Sequence, residues 1–351
     1  LFWIDIHINW QTFSIAAFVL GGLGFLNIWD FPLYVGFFAF VYLFRTIQCR
    51  GWVLERLVEF LVLGLSTVIT GVLFYLPFYI GFSSQAGGLL PNLYNPTRGA
   101  HIWVMFGTVF TPIFLLLLYR TQTERRGRNV VKGIGASLIL SLALAIFSLL
   151  LAWGLSISSA GNSLLATIGK DSLAAVLQAG LPRRLENIGG WLTLTLLIGL
   201  AFGLLFSKNK TELETDQDNP HGFVMAMIIF GGLLVLVPEF IYLRDHFGTR
   251  MNTIFKFYIQ SWLIWGLAAA YASAVLLSDT KRKIWRWASG VVIFVVLVVG
   301  LTYPAMGIAD RVIAFQDAEG KTLQLDGTQH FYYLNNDDFS ALDWLQNAPL
   351  G

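Results

Sequence analysis

The chain contains 351 residues, of which 56% are hydrophobic and only 13% are charged. Soluble domains carry about a quarter charged residues, so this composition excludes an ordinary soluble protein. The formal net charge is only +2, and we expect no nucleic-acid partner. The single cysteine, Cys49, excludes an internal disulfide bond.

The first long apolar stretch, Gln11–Phe44, has an ambiguous length. It is too long for one straight membrane span and short for two, and the residues "NIWDFP" interrupt it. Pro32 and Gly36 permit a break in a helix. The stretch is therefore either two short helices or one broken crossing.

Seven further apolar runs have no charged residue near their middles. Each is roughly twenty residues long, which is the length needed to cross a ~30 Å hydrocarbon layer. With Gln11–Phe44 they predict an all-α polytopic membrane protein of about eight or nine transmembrane helices. The seven runs are Leu57–Ile80, Ile102–Tyr119, Gly133–Leu155, Trp191–Phe206, Gly222–Ile241, Phe257–Leu277 and Trp287–Tyr303.

Basic residues concentrate in alternate loops, and the positive-inside rule places these loops in the cytoplasm. The opening stretch, the loops Gly81–Ala100 and Ile157–Gly190, and the tail after Tyr303 then face outward. The basic residues are Arg45, Arg50 and Arg56; Arg120, Arg125, Arg126, Arg128 and Lys132; Lys208 and Lys210; and Lys281, Arg282, Lys283 and Arg286.

The outer segments have structure of their own. Gly87–Arg98 contains two prolines, which exclude a long helix, whereas Leu164–Leu185 has the apolar spacing of a short amphipathic helix on the membrane surface. We predict a transmembrane domain over residues 1–303 and an extracytoplasmic tail over residues 304–351. The tail contains "DDFSALDWLQNAP", which predicts a helix. We expect the chain to be part of a longer protein.

The richest group of ionisable residues lies in "PEFIYLRDHFGTRMNTIFKFYIQSW", between two apolar runs. One interpretation is a local ion-pair network of Glu239 or Asp245 with Arg244 or Arg250, plus a Lys256 side chain that snorkels outward. The other is a polar pocket at the outer surface, whose cations suit a phosphate or pyrophosphate. The candidate residues are Glu239, Arg244, Asp245, His246, Arg250, Asn252 and Lys256.

Lys256 is of special interest because it is a charged residue inside a predicted membrane helix. Asn252, Lys256 and Gln260 are spaced by four residues, so they share one face of a helix that starts near Thr249. Lys256 lies about one turn inside that helix. A charge there costs a few kcal/mol unless it faces protein, water or a ligand.

The "NIWDFP" break is a second candidate, with Asn27, Trp29 and Asp30 in an otherwise apolar run. A simple turn between two helices also uses Asn, Asp and Pro, and Trp29 is equally suited to anchor the chain at the membrane interface.

Two shorter motifs complete the set of candidates. In "IDIHINW", Asp5 and His7 are a possible pair of ligands for a divalent metal. In "NPTRGAHIW", Arg98 and His101 lie just outside a predicted span, where such residues are also common without a function. All four groups share the outer face if Gln11–Phe44 is a single broken crossing.

The motifs "NIWDFP", "PTRGAHIWVMFG", "RMNTIFKFYIQSW" and "FSALDWLQNAP" together resemble the YYY membrane-protein family, the DUF2298 group. The resemblance covers nearly the whole chain, and "RMNTIFKF" is its most specific part. That family is thought to be related to the GT-C glycosyltransferases, which take a sugar from a lipid phosphate on the non-cytoplasmic side. The resemblance implies a GT-C-like fold, membrane lipid as surroundings and a polyprenyl-phosphate-linked sugar as donor, in a prokaryotic plasma membrane.

The resemblance also implies roles for particular residues. The family's Asp-Leu-His-Pro-His motif corresponds here to Asp5, Ile6, His7, Ile8 and Asn9, so that the proline and the second histidine are missing. Asp5 would be the general base or, with His7, would hold a divalent metal, Mg²⁺ or Mn²⁺.

Other residues would bind the donor. The cations would neutralise the leaving lipid phosphate, the amides would orient sugar hydroxyls, and a tryptophan would stack on the sugar. These residues are Arg244, Arg250 and Lys256; Asn27 and Asn252; and Trp29 or Trp103.

Two other functions are compatible with the same sequence. One is a transporter or flippase for a lipid-linked or small anionic substrate, which usually binds near the bilayer midplane on broken helices. Only the "NIWDFP" break offers such a site, because the seven clear spans lack ionisable residues near their middles. The other is a membrane scaffold that keeps the fold without catalysis.

Overall fold

The structure, a computed structural model, describes residues 6, 8–83, 87–123, 127–157, 161, 165, 168–205, 220–245, 248–314 and 336–348. By residue contacts the chain divides into two units, Leu1–Val291 and Val292–Gly351. In the first, the helices are α1 Trp10–Leu26, α2 Asp30–Arg50, α3 Glu55–Phe74, α4 Leu76–Ile80, α5 Gly99–Thr123, α6 Gly127–Ser156, α7 Leu173–Glu186, α8 Gly189–Leu205, α9 His221–Leu236 and α10 Met251–Ser278.

The second unit is described by itself. It contains most of α11, Lys283–Ala314, which begins in the first unit, and a terminal helix α12, Asn336–Asn347. The helix predicted from "DDFSALDWLQNAP" is thus present. The domain boundary after residue 303 stays a prediction.

The protein is an all-α polytopic membrane protein, as predicted. Seven described helices are long and apolar enough to cross a membrane, or eight if α7 and α8, which meet at a 67° bend, form one crossing. Helix α1 is apolar but has only 17 residues. We call outer the helix ends opposite the basic loops around Arg50 and Arg282; that this side is extracytoplasmic stays a prediction.

Aromatic packing shows how α1 lies against α3 and α4. The rings of Phe18 and Phe25 lie 5.8 and 5.5 Å from those of Phe74 and Phe78, in the same chain order. Helix α1 therefore runs parallel to α3.

Helix α2 runs the opposite way. Phe31 and Ala39 lie against Gly71 and Gly64 of α3, in reverse chain order. The two helices α1 and α2 thus form an antiparallel hairpin, and of the two alternatives for Gln11–Phe44 the single broken crossing is wrong. The physical reason is the turn at "NIW", which reverses the chain before α2 begins.

The four polar groups were expected to share the outer face only if Gln11–Phe44 formed a single broken crossing. The hairpin excludes that arrangement. Asn9 caps the start of α1, where its side chain accepts a hydrogen bond from the backbone N–H of Thr12 at 2.7 Å. With 17 residues at 1.5 Å each, α1 separates Asn9 from the turn at Asn27 by about 25 Å.

Two predicted spans end differently from the prediction. The run Leu57–Ile80 is two helices, α3 and α4, because Pro77 has no N–H to continue the ladder of α3. The run Gly222–Ile241 ends its α-helix at Leu236 and continues as a 3₁₀ turn, Val237–Glu239, around Pro238.

Ile241 begins a short strand that the sequence analysis missed. Strand β2, Ile241–Leu243, pairs antiparallel with strand β1, Leu89–Pro91. The pair ties the loop before α5 to the segment between α9 and α10, at the outer ends of these helices. It therefore fixes the backbone on which the polar residues of both segments are mounted.

The core of the first unit lies where α10 packs against α5 and α9. Trp265 is fully buried there and donates from its indole N–H to the carbonyl of Ile228 at 3.1 Å. The rings of Phe106 and Phe110 on α5 meet it edge-on at 5.0 and 4.8 Å. This contact holds α10 in place next to the loop that precedes α5.

Candidate functional site

A buried ion pair joins the end of α9 to the start of α10. Arg250 Nη1 donates to Oε1 of Glu239 at 2.8 Å and to the carbonyl of Pro238 at 3.2 Å. The Glu239 side chain is only 4% exposed and that of Arg250 13%. A carboxylate at this depth requires a partner, because an uncompensated buried charge is strongly unfavourable. The ion-pair interpretation of this segment is therefore correct for Glu239 and Arg250.

Thr97, from the loop before α5, completes the coordination of the carboxylate. Its backbone N–H donates to Oε2 of Glu239 at 2.9 Å, and its hydroxyl donates to Oε1. Arg250 Nη2 donates to the same hydroxyl oxygen at 3.0 Å. Both oxygens of Glu239 are thus hydrogen-bonded.

A second guanidinium reaches the same place from α7. Arg184 Nη2 donates to the carbonyls of Glu239, at 2.7 Å, and of Asn92, and its Nε donates to the carbonyl of Leu93 at 3.4 Å. The side-chain amide of Asn92 in turn donates to the carbonyls of Pro238 and Glu239 at 3.2 and 3.1 Å. Arg184 is thus held by backbone carbonyl groups.

We call these five residues, Asn92, Thr97, Arg184, Glu239 and Arg250, the ionic network. It contains two guanidinium groups and one carboxylate, so it carries one positive charge in excess. The network lies at the outer ends of α7, α9 and α10. A partly desolvated excess charge in this position attracts an anion more strongly than a cation on an exposed surface.

On one side of the network is a cavity of about 420 Å³, which we call the polar cavity. Arg250, Asn92, Asn95, Tyr94 and Tyr242 are among the residues that line it. Burial raises the pKa of Tyr242 above its ordinary value of 10.0, so its phenol stays protonated near neutral pH. The cavity therefore offers a cation together with neutral hydrogen-bonding groups.

On the other side is a groove of about 380 Å³, which we call the apolar groove. Leu138, Leu142 and Ala145 of α6 line one wall, and Arg184 and Glu239 are also among its lining residues. Because α6 runs outward and its Ser148 bonds the carbonyl of Phe240 beside the network, Ala145, Leu142 and Leu138 lie successively deeper below the network. The groove thus extends from the excess charge towards the middle of the membrane.

One lining residue of the apolar groove stands out chemically. Ser141 is only 3% exposed, and its hydroxyl makes no hydrogen bond within the described part of the chain. A buried hydroxyl without a partner is unfavourable by roughly 1–3 kcal/mol. An occupant of the groove with a polar atom near Ser141 would remove that cost.

The "NIWDFP" residues form a separate polar group. Asp30 Oδ1 accepts hydrogen bonds from the amide of Asn27, at 3.0 Å, and from the amide of Gln260 on α10, at 2.7 Å. Tyr34 donates its hydroxyl to the oxygen of the same Gln260 at 2.6 Å. These contacts bridge α2 and α10 and show that Asp30 does more than terminate a turn.

The remaining predicted site residues fall outside both polar groups. Arg98, His101 and Arg244 are exposed side chains, and Asp245 is half-buried two residues beyond the end of β2. Asn252 and Lys256 are half-buried in the first turns of α10, and the ammonium of Lys256 lies 5.8 Å from the centre of the Phe255 ring. Trp29 is half-buried beside Asn27.

Asp5, His7 and His246 lie outside the residues that the structure describes. Among those it does describe, no three His, Cys, Asp or Glu side chains come together as a metal site. Asp30 does not suit a divalent ion, because two amide N–H groups point at its carboxylate where a metal needs further oxygen ligands. The metal predicted at Asp5 and His7 stays a prediction.

Arg184, Asn92 and Thr97 were not singled out as site residues from the sequence. The only signal for Arg184 was a basic pair, Arg183–Arg184, at the end of an amphipathic helix in an outer loop. Arg183 is exposed and lies over the ring of Tyr94 at 4.2 Å. Nothing in the sequence distinguishes the buried arginine of this pair from the exposed one.

Comparison with known proteins identifies the family. No curated protein and no solved structure matches the chain. A family described as uncharacterized membrane protein (DUF2298) matches residues 5–265, which include the ionic network and the Asp30 group. The chain therefore belongs to the DUF2298 family of membrane proteins.

Proposed function

We propose that the chain is a membrane glycosyltransferase of the GT-C type, which takes a sugar from a polyprenyl phosphate at the outer membrane face. One observation carries the proposal: a network with one excess positive charge lies between a polar cavity and an apolar groove. This arrangement suits an amphiphile that has an anionic head and a hydrocarbon chain. The DUF2298 family match supports the membrane setting and leaves the reaction open.

The apolar groove would hold the first part of the lipid chain. Its walls are leucine, isoleucine, tryptophan and alanine side chains, and a prenyl chain needs no polar contact there. Arg184, at the polar end of the groove, would meet the phosphate. The guanidinium keeps its positive charge and offers directed N–H donors that suit a phosphate oxygen.

The polar cavity would hold the sugar or the acceptor. In the transfer step, an acceptor hydroxyl oxygen bonds to the anomeric carbon while the carbon–oxygen bond to phosphate breaks, and the electron pair leaves with the phosphate. Positive charge from Arg184 and Arg250 stabilises the leaving group, where negative charge develops. A carboxylate takes the proton of the hydroxyl. The family resemblance implied Asp5 for that role, but Asn9, four residues after Asp5, lies at the inner end of α1, so the base is left unassigned. Lys256 and Asn252 would contact the head group from α10.

A carrier for a lipid-linked or anionic substrate is the second candidate. It is favoured by the Asn27–Asp30–Gln260 bridge, since polar groups below the surface between helices are typical of transport sites. An enzyme cleaves the donor, whereas a carrier moves it intact.

The test uses the chain reconstituted in liposomes with labelled mannosyl and glucosyl polyprenyl phosphates, with and without EDTA. Release or transfer of labelled sugar supports the enzyme, and intact donor that crosses the bilayer supports the carrier. If the protein does neither, the proposal is rejected and a scaffold is left. A loss of sugar release or transfer in EDTA would show that the predicted divalent metal is required.

The matched variants are Arg184→Met and Arg183→Met, which remove neighbouring arginines of opposite burial. We expect at least a tenfold loss of transfer in Arg184→Met, with Arg184→Lys intermediate, and less than a twofold change in Arg183→Met. Equal losses in both methionine variants would contradict phosphate binding at Arg184.

A further inference from the structure

The Asp30 group lies below the outer surface. Gln260, which bonds to Asp30, is ten residues along α10 from Arg250, or about 15 Å at 1.5 Å per residue. Arg250 marks the outer end of that helix. Asp30 therefore lies about three turns along α10 from Arg250, at the outer end of α2 and about 30 Å from Arg50 at the inner end of that helix.

Only one of the two carboxylate oxygens of Asp30 is used. Oδ1 takes both amide donors, from Asn27 and Gln260, while Oδ2 makes no hydrogen bond among the described residues. An ionised carboxylate has about four lone-pair positions. Because the surrounding amides present N–H groups to Asp30, the open oxygen suits an incoming O–H donor better than a cation that needs several oxygens.

The face of α10 above Gln260 is polar as well. Asn252 and Lys256 precede it by two turns and one turn, and both are half-buried. Neither makes a side-chain hydrogen bond or ion pair within the described part of the chain, although Lys256 lies over the Phe255 ring. Polar groups that lie between helices are satisfied by protein or by water, because lipid tails offer no hydrogen bonds.

We infer that a hydrated cleft follows Asn252, Lys256 and Gln260 from the outer end of α10 down to Asp30, and that Asp30 Oδ2 binds the hydroxyl group of a ligand. Water in the cleft hydrates Asn252 and the Lys256 ammonium. A ligand hydroxyl at the floor donates to Oδ2, while Oδ1 stays tied to α2 and α10. The assignment of this hydroxyl to a sugar or an acceptor rests on the proposed function. The inference of the cleft does not depend on that function.

Cysteine labelling tests the cleft without any assay of activity. In a Cys49→Ser background, single cysteines replace Asn252 and Lys256 on the polar face, and Phe255 and Trp262 on the lipid-facing side of the same helix. A charged, membrane-impermeant methanethiosulfonate reagent is supplied on both sides of the liposomes, so the result is independent of orientation. We expect at least tenfold faster labelling at 252 and 256 than at 255 and 262. Similar rates at all four positions overturn the cleft.

The site at Asp30 is tested in the same assay with octyl glucoside, below its micellar concentration, as a hydroxyl-bearing probe. We expect it to slow labelling of Asn252→Cys at least threefold with Asp30 present, and not in the Asp30→Asn variant. The isosteric amide of that variant offers one acceptor oxygen and an NH₂ group, so the turn is retained. Equal slowing in both backgrounds, or none in either, overturns binding at Asp30 and leaves the proposed transfer reaction to its own test.

Discussion

Arg250 and Glu239 are joined by a 2.8 Å hydrogen-bonded ion pair that closes the connection between α9 and α10. The same connection contains β2, which pairs with β1 in the loop before α5. The pair and the strands therefore hold three segments of the chain around the polar cavity, so the shape of the cavity depends on this contact.

Removal of Arg250 should strongly destabilise the protein. Arg250→Met leaves Glu239 buried with only Thr97 as a side-chain partner, and breaking a buried pair from one side costs about 3–5 kcal/mol. The double variant Arg250→Met, Glu239→Gln should recover at least half of that loss, because no charge then stays unpaired. Unfolding in mixed dodecyl maltoside and SDS micelles measures each free energy.

The exposed Arg244 is the matched control for this series. Arg244→Met removes an arginine from the same connection, and we expect a change below about 0.5 kcal/mol, as for most surface substitutions. A double variant that is as unstable as Arg250→Met alone would show that packing of the arginine stem, and not charge pairing, holds α9 to α10.

The membrane-spanning core was predictable because its signal is local. Apolar runs of sufficient length identify helices without knowledge of their neighbours, since the hydrocarbon layer acts on every residue separately. The predictions failed where contacts between distant segments of the chain determine the secondary structure. Ile241 was counted in a span, but it pairs with Pro91, which lies far earlier in the chain.

The candidate site was predictable to a lesser extent. Glu239 and Arg250 are close in sequence on either side of a connection, so their pairing was one of the interpretations open from the residues alone. Arg184 was not recognised because its acceptors are backbone carbonyls of Asn92, Leu93 and Glu239, which every residue type offers. When a side chain bonds to backbone carbonyl groups, the sequence contains no complementary residue type that would reveal the contact.

A bulky residue in the apolar groove should block the lipid chain. Ala145 lines the groove, whereas its neighbour Ile146 is 48% exposed on the outside of α6. We expect Ala145→Trp to weaken binding of a polyprenyl phosphate at least tenfold and Ile146→Trp to leave it within twofold. Native mass spectrometry with increasing lipid concentration measures both, and the melting temperature confirms that each variant is folded.

A short-chain donor separates chain binding from head-group binding. If the groove holds the lipid chain, Ala145→Trp should affect a farnesyl phosphate much less than a polyprenyl phosphate of eleven isoprene units. Equal effects on both lipids would place the long chain elsewhere and leave Arg184 as a phosphate contact without a chain site beside it.

Close packing between α6 and α8 should make particular glycines irreplaceable. A Cβ atom at Gly199 would lie 2.7 Å from the Cα of Ile134, and one at Gly203 would lie 2.7 Å from the Cα of Val130. Because these neighbours are backbone atoms, the helices must separate to accept a methyl group, and overpacking of this kind costs typically about 1–3 kcal/mol. Thermal unfolding in detergent should therefore show a lower melting temperature for Gly199→Ala and Gly203→Ala.

Gly135 on α6 is the matched control, because no atom lies within 4 Å of a Cβ added there. Gly135→Ala should be neutral or slightly stabilising, since alanine favours the helix by up to about 1 kcal/mol. A uniform shift across the three variants would mean that helix propensity, rather than the distance between α6 and α8, sets their stability. Since α6 carries one wall of the apolar groove and α8 begins beside its other wall, the two destabilising variants should also weaken polyprenyl phosphate binding.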